Sequence, residues 1–277
     1  QPDPNRAAPA RVNCALKSST DPKLSSIASI RSTDGAPDWE GGAILCQKKV
    51  WFQWPPPLSR IALGNVDTVA IICSSVIGET QTLALKKHLK TIMPQASWFQ
   101  MNGLSAIEHL GSQYDQPEQL GADRRAMALG AHQMFPNKNL LVISAGTATT
   151  IDLITPSHHM GGWIIPGMAL MTNALNLNTA QLPKVSTDKE DSSLKIGTNT
   201  HDGIYQGILA SHIGAITMAQ EYAKNQKIKL DLMIVTGGNA KTLVALLKEC
   251  SSSVPVHHEE QMVLKGLLAW NKMGLTS

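Results

Sequence analysis

Aromatic residues are scarce in this chain. Phe, Trp and Tyr make up 4% of it, against 43% hydrophobic residues in all. A surface that stacks nucleic-acid bases or sugar rings needs more rings than this, and the abundant Ala, Leu and Ile suit α/β packing instead. Charge is thin at 16%, with a net +3. That excludes the dense basic stripe of a nucleic-acid binder, so Lys48-Lys49 and Lys86-Lys87 read as solvated surface charge. The cysteines Cys14, Cys46, Cys73 and Cys250 stand far apart with no C-x-x-C. This spacing argues against structural zinc and for a reducing compartment. His158-His159 and His257-His258 read as loop histidines. No apolar run approaches the ~20 residues of a membrane helix, and no signal-peptide core precedes a cleavage site. A cytoplasmic protein with no membrane and no nucleic-acid partner is expected.

What is present concentrates in Leu140–Leu182. Leu140–Ile143 is an apolar run of buried-strand length. Ala145-Gly146-Thr147-Ala148-Thr149-Thr150 follows, a turn of small hydroxyls and bare amides. Thr150–Ile154 is a second strand with Asp152 inside it. A Gly161-Gly162 turn, the short run Trp163–Ile165, and a helix opened by Pro166-Gly167 come next. Strand, Gly/Thr turn, strand is one way for a backbone to approach phosphate, because glycine removes the Cβ while amides and hydroxyls donate.

Elsewhere the pattern alternates. Pro2, Pro4 and Pro9 make residues 1–10 an arm, and residues 17–42 read as loose connections between short strands. Strand candidates are Arg60–Leu63, Thr68–Cys73, Leu230–Val235 and the edge strand Val254–Val256. Helix candidates are Gln81–Ile92 with Leu83, Leu85, Leu89 and Ile92 on one face, Leu104–Leu110, Ala122–Phe135, Gly167–Asn176, Gly203–Glu221, Ala240–Glu249 and Glu260–Lys272. Thr236-Gly237-Gly238 between a strand and a helix places amides at a helix start, the usual ligand crevice of α/β sheets. Asp123 falls in the first turn of its helix, where a carboxylate suits the helix dipole.

Taken in order, these segments resemble the type III pantothenate kinase family, including its Bvg accessory factor-like members. The resemblance rests on Gly146-Thr147-Ala148-Thr149-Thr150-x-Asp152, Gly161-Gly162-x-Ile164-x-Pro166-Gly167 and Thr179-Ala180-x-Leu182-Pro183. It also rests on Tyr114-x-x-Pro117-x-x-Leu120-Gly121-Ala122-Asp123-Arg124, Ile196-Gly197-x-Asn199-Thr200-x-x-Gly203 and Val235-Thr236-Gly237-Gly238-x-Ala240. It spans roughly residues 110 to 245.

The resemblance implies an actin-like, ribonuclease-H-like ATPase fold of two related α/β lobes. Residues 1–10 would be an arm, 11–137 the first lobe and 138–277 the second. It implies transfer of the ATP γ-phosphoryl group to pantothenate, the first step of coenzyme A synthesis, by a homodimer using Mg²⁺ and a monovalent cation (K⁺ or NH₄⁺). By the same resemblance Asp123 is the general base, and Tyr114, Gly121, Ala122, Asp123, Arg124 and Thr200 hold pantothenate. Gly146, Thr147, Gly237 and Gly238 hold ATP. Ser144 occupies the family's cation-binding Asp position. The family's first phosphate loop, Asp-x-Gly-Asn-Thr, aligns with Arg6-Ala7-Ala8-Pro9-Ala10, so the donor side has lost a carboxylate there and another at Ser144. Weakened activity, or a non-catalytic binding or regulatory protein on the same scaffold, is the consequence to test.

Overall fold

A computed structural model describes residues 11–18, 25–31, 42–44, 50–52, 68–76, 78–92, 94–179, 182–183, 185–186, 193–250 and 252–273. The arm with Arg6, Ala8, Pro9 and Ala10 and the Arg60–Leu63 run lie outside these residues. In chain order the strands and helices are β1 (Arg11–Ser18), β2 (Ser25–Arg31), β3 (Gly42–Ile44), β4 (Val50–Phe52), β5 (Thr68–Ser75), α1 (Glu79–Ile92), β6 (Ser97–Met101), β7 (Gly111–Ser112) and α2 (Ala122–Met134). There follow β8 (Leu140–Ala145), β9 (Ala148–Ile154), β10 (His158–Pro166), α3 (Met168–Asn178), α4 (Thr200–Asn225), β11 (Leu232–Thr236), α5 (Ala240–Glu249), β12 (Val256–His258) and α6 (Met262–Lys272).

The chain divides into two compact units. The first takes the chain through Glu108, then Tyr114–Gln133 and the closing helix α6; the second takes His109–Gln113 and Met134–Gln261.

The second unit is built on a six-stranded sheet in the order β12-β11-β8-β9-β10-β7. β8, β11 and β12 run parallel, and β9 is antiparallel to both β8 and β10. This is the ribonuclease-H-like strand order. The expected strands Leu140–Ile143 and Leu230–Val235 are its central β8 and β11. Their apolar composition follows from burial on both faces: Leu140, Ile143, Met233, Ile234 and Val235 have no exposed surface. On one face Leu141, Ile143, Ile151, Leu153, Met233 and Val235 meet Leu209, Ile213 and Ile216 of α4 and Leu243 and Leu246 of α5. Burying one such side chain contributes roughly 1.5–3 kcal/mol.

The first unit holds a four-stranded sheet, β2-β1-β5-β6, and a two-stranded β3-β4 ribbon. β1 is antiparallel to both β2 and β5, whereas β5 and β6 are parallel. Helix α6 packs on β1, β2 and β5.

Several local expectations change. Leu104–Leu110 is not helical. The Asn102 Oδ1 accepts from the Leu104 amide at 2.9 Å, the Asn102 amide donates to Ser105 Oγ at 2.9 Å, and His109 has φ +62°. These side-chain bonds to the backbone compete with a helix. In α1 the buried face is Thr82, Leu85 and Leu89, while Leu83 is 56% exposed. A helix advances about 100° per residue, so a hydrophobic one position off the stripe faces water. The chain reverses at Thr155–His158, where the Thr155 amide donates to the His158 carbonyl. Gly161-Gly162 is therefore no turn: the β9–β10 register shifts between His159 and Gly161, and Gly161, at φ +112°, forms a bulge inside β10.

The paired histidines are strand residues, not loop residues. His159 is fully buried, with Nε2 2.7 Å from Asp152 Oδ1 on β9. The bulge lets a residue seven positions away reach the Asp, a partner invisible to linear spacing. His257 lies in β12, with its ring edge-on to Phe135.

Candidate functional site

The glycine turns of the second unit meet at one end of its sheet. β8 and β11 are parallel, so the turn leaving each opens at the same end. After β8 comes the tight Gly146-Thr147 turn, closed by the Gly146 amide donating to the Ala148 carbonyl at 3.1 Å. After β11 comes Gly237 at φ +98°, and the Asn239 amide donates to the Ala145 carbonyl at 3.0 Å. A Cβ on Gly237 would lie 2.5 Å from the Ala145 carbonyl oxygen. The third turn joins β10 to α3. The Gly167 amide donates to the Thr147 carbonyl at 2.9 Å, and a Cβ on Gly167 would sit 2.2 Å from the Gly146 oxygen.

Gly146, Thr147, Gly237 and Gly238 thus belong to one cluster, with Gly167 a member that sequence reasoning used only as a helix opener. Two helices start there, α3 at Met168 and α5 at Ala240, and neither has a side-chain cap hydrogen bond. Helix starts combine free amides with the positive end of the dipole, which is the arrangement that binds phosphate. At Gly237 and Gly167 a Cβ would meet the backbone of the turn after β8, so these two glycines let the three turns pack against one another.

Beside it lies a row of hydroxyls. Thr236 pairs with Ser144 across β11–β8, and Ser144 faces Thr150 across β8–β9. Cross-strand partners share a sheet face. Thr236 and Thr150 are buried, and the Thr150 Oγ1 has no hydrogen-bond partner. Ser144 brings a neutral oxygen where the resemblance called for a carboxylate. No group of three His, Cys, Asp or Glu residues that could hold a metal occurs among the described residues. These residues do not fit a carboxylate-held cation.

Thr200 opens α4 in the same unit. The helix is capped by Asn199, whose Oδ1 accepts from the Asp202 amide at 2.9 Å while its Nδ2 donates to Asp202 at 2.7 Å. A buried Gln206 holds the approach to this start, accepting from the Lys195 amide at 2.9 Å and donating to the Ser193 carbonyl at 3.2 Å.

The other candidates lie in the first unit. Gly121 and Ala122 lead into α2, and Asp123 is half-buried in its first turn. The Arg124 amide donates to Asp123 Oδ1 at 2.8 Å, which orients the carboxylate. Arg124 is 4% exposed; its guanidinium lies 5.4 Å from the centre of the Tyr114 ring and donates to the Tyr114 hydroxyl. Tyr114 and Arg124 are therefore one unit of structure, a cation–π pair beside Asp123. Arg125, which sequence reasoning passed over, is also buried, and it donates to the Ser105 carbonyl at 3.3 Å. Burial lowers its pKa from the ordinary arginine value.

A strand order of this kind, with glycine turns following β8 and β11 at one end of the sheet, defines an actin-like ATPase fold. The crystal structure of a Campylobacter jejuni protein assigned to the Baf family of transcriptional activators superposes with a TM-score of 0.51 at 17% identity, over 84% of this chain and 94% of that one. A model of the type III pantothenate kinase family matches residues 58–221. Among curated relatives, the type III pantothenate kinase of Herminiimonas arsenicoxydans is 43% identical over 48% of this chain and 51% of its own length. That of Janthinobacterium sp. is 39% identical over 68% of this chain and 69% of its own. The chain belongs to the type III pantothenate kinase family. It spans 51% of the length of the first of these relatives and 69% of the second.

Proposed function

We propose that this chain phosphorylates pantothenate with ATP to give 4′-phosphopantothenate, the first step of coenzyme A biosynthesis. The observation that carries the reading is the meeting of three glycine turns and two uncapped helix starts at one sheet end.

Phosphoryl transfer asks a protein chiefly for positioning and charge stabilisation. The amides of Gly146, Thr147, Gly237 and Gly238 would donate to the ATP phosphates, and the Thr147 hydroxyl would add a donor. Tyr114, Gly121, Ala122, Arg124 and Thr200 would hold pantothenate. Asp123 would take the proton of its primary hydroxyl as that oxygen bonds to the γ-phosphorus. The bond from the γ-phosphorus to the bridging oxygen breaks, and ADP leaves. The resemblance adds Mg²⁺ and K⁺ or NH₄⁺, but no step is drawn through either, because the residues around Ser144 supply no carboxylate.

The neutral Ser144 favours a second reading, a binding or regulatory protein that keeps pantothenate recognition without turnover. Calorimetry with ATP–Mg²⁺ and with pantothenate, followed by mass spectrometry of the product, separates the two. Kinase function requires phosphopantothenate that depends on ATP, and Ser144→Asp should raise its rate. Binding of pantothenate with no product at saturating ATP would establish the second reading.

We also infer a cytoplasmic homodimer. No helix among the described residues is long and apolar enough to cross a membrane. Trp163, Met218 and Tyr222 are 41–60% exposed, and Trp163 stacks edge-on against Tyr222 at 6.3 Å. A cluster of exposed large apolar side chains marks an interaction surface. Light scattering should give twice the chain mass; a mass near the single-chain 29.8 kDa would contradict the dimer.

A further inference from the structure

Helix α4 carries a buried polar residue that neither the proposed chemistry nor the family motifs use. His212 has no exposed surface, and it sits between Leu209, Ile213 and Ile216, which belong to the apolar core of the second unit. Its Nδ1 lies 2.8 Å from the Ile208 carbonyl, one turn back along the helix. A carbonyl only accepts, so Nδ1 carries the proton and donates. In the neutral ring Nε2 is then an acceptor. It lies 3.1 Å from Thr149 Oγ1, so the threonine hydroxyl donates to it. Thr149 is 1% exposed.

The place of this bond matters. Thr149 is one residue past Ala148, whose carbonyl closes the Gly146-Thr147 turn. Across the sheet Thr149 pairs with Ala145 on β8 and with Ile165 on β10. Ala145 accepts from the amide of Asn239, and Ile165 leads through Pro166 to Gly167. One hydroxyl is thus flanked by the roots of all three turns. At the other end, α4 begins at Thr200, about 18 Å away at 1.5 Å per residue.

We propose that His212 is a positioning residue: its hydrogen bond to Thr149 fixes the Gly146-Thr147 turn for nucleotide. Apolar contacts in a sheet-on-helix core tolerate small slides, whereas a buried, fully paired polar bond has one geometry. Burial lowers the pKa of His212, in keeping with the neutral tautomer this bond needs. The proposal deepens the kinase reading and rests on it for the identity of the ligand.

The test compares the wild-type chain, Thr149→Val, Thr149→Ser, His212→Leu and the double variant Thr149→Val/His212→Leu. Two quantities are read: amide exchange of residues 145–149 in the ligand-free protein, relative to β11, and KM for ATP and for pantothenate. The expected result is at least tenfold faster exchange at the turn and at least a tenfold rise in KM for ATP in Thr149→Val and His212→Leu. KM for pantothenate should stay within about twofold, Thr149→Ser should restore both readouts, and the double variant should be no worse than either single one. A uniform rise in exchange across the second unit, or failure of Thr149→Ser to rescue, overturns the proposal and leaves His212 a core-filling residue. If wild type neither binds ATP nor forms product, the kinase reading falls. The exchange data then decide the positioning role alone, for it when the turn loosens selectively and against it when it does not.

Discussion

The order β2-β1-β5-β6 of the first unit is matched by β9-β8-β11-β12 in the second, but the middle pair runs antiparallel in one and parallel in the other. In the second, β8 runs parallel to β11, so the turns that follow Ala145 and Thr236 open side by side. In the first, β1 runs against β5, with Val12 paired to Ser75 and Ser18 to Thr68. The end of β1 therefore lies beside the start of β5, not its finish. Strand direction, more than strand order, decides whether glycine turns converge. The second unit concentrates backbone donors at a sheet end. The first contributes side chains, Tyr114, Asp123 and Arg124, at a helix start. The proposed function then predicts a division of labour: nucleotide at the backbone turns of the second unit, and acceptor at the side chains of the first together with Thr200 of the second.

The largest effect should come from the acceptor side. Asp123→Asn should lower turnover by the ~10²–10⁴-fold typical of a lost general base, with ATP affinity unchanged by calorimetry. An unchanged rate would remove Asp123 from the chemistry.

On the nucleotide side, Gly237→Ala forces an L side chain into φ +98° and against the Ala145 carbonyl. Backbone strain of this kind costs of order 1–3 kcal/mol. Stability should fall by about that amount in chemical denaturation, and ATP affinity should fall as the turn shifts to relieve the clash. Pantothenate binding should not change; if it does, the two units do not divide the ligands.

A smaller effect is expected for Arg124→Lys, which keeps the charge but loses the planar group against Tyr114. A cation–π contact contributes about 0.5–2 kcal/mol, so KM for pantothenate should rise about 2- to 30-fold while KM for ATP stays put.

The smallest concerns pH and only the second unit. Burial lowers the pKa of His212 in the folded chain. The unfolded chain then takes up this proton at a higher pH, near the ordinary ~6.5. Stability is fully present above that value and is lost as pH falls from it toward the folded pKa. Thermal unfolding between pH 7 and 5 should show this slope, and His212→Leu should flatten it.

Much of the second unit was legible because its signals are local. Buried runs such as Leu140–Ile143, and Gly turns next to them, state strand and turn within six residues. Asp123 at a helix start was legible for the same reason, since the dipole preference acts within one turn. The illegible parts depend on register. His159 meets Asp152 only because a bulge at Gly161 shifts β10 against β9. Thr149 meets His212 across 63 residues. Gly167 looked like a helix opener and is also the close contact of a distant turn. Leu104–Leu110 has helical spacing, yet the Asn102 side chain captures the backbone first.

The division of labour is tested most directly by hydrogen exchange with each ligand added alone. ATP should slow exchange at residues 145–148, 166–168 and 236–240, and pantothenate at 114–124 and around Thr200. Protection by ATP that misses all three glycine turns, or protection of them by pantothenate instead, would contradict it.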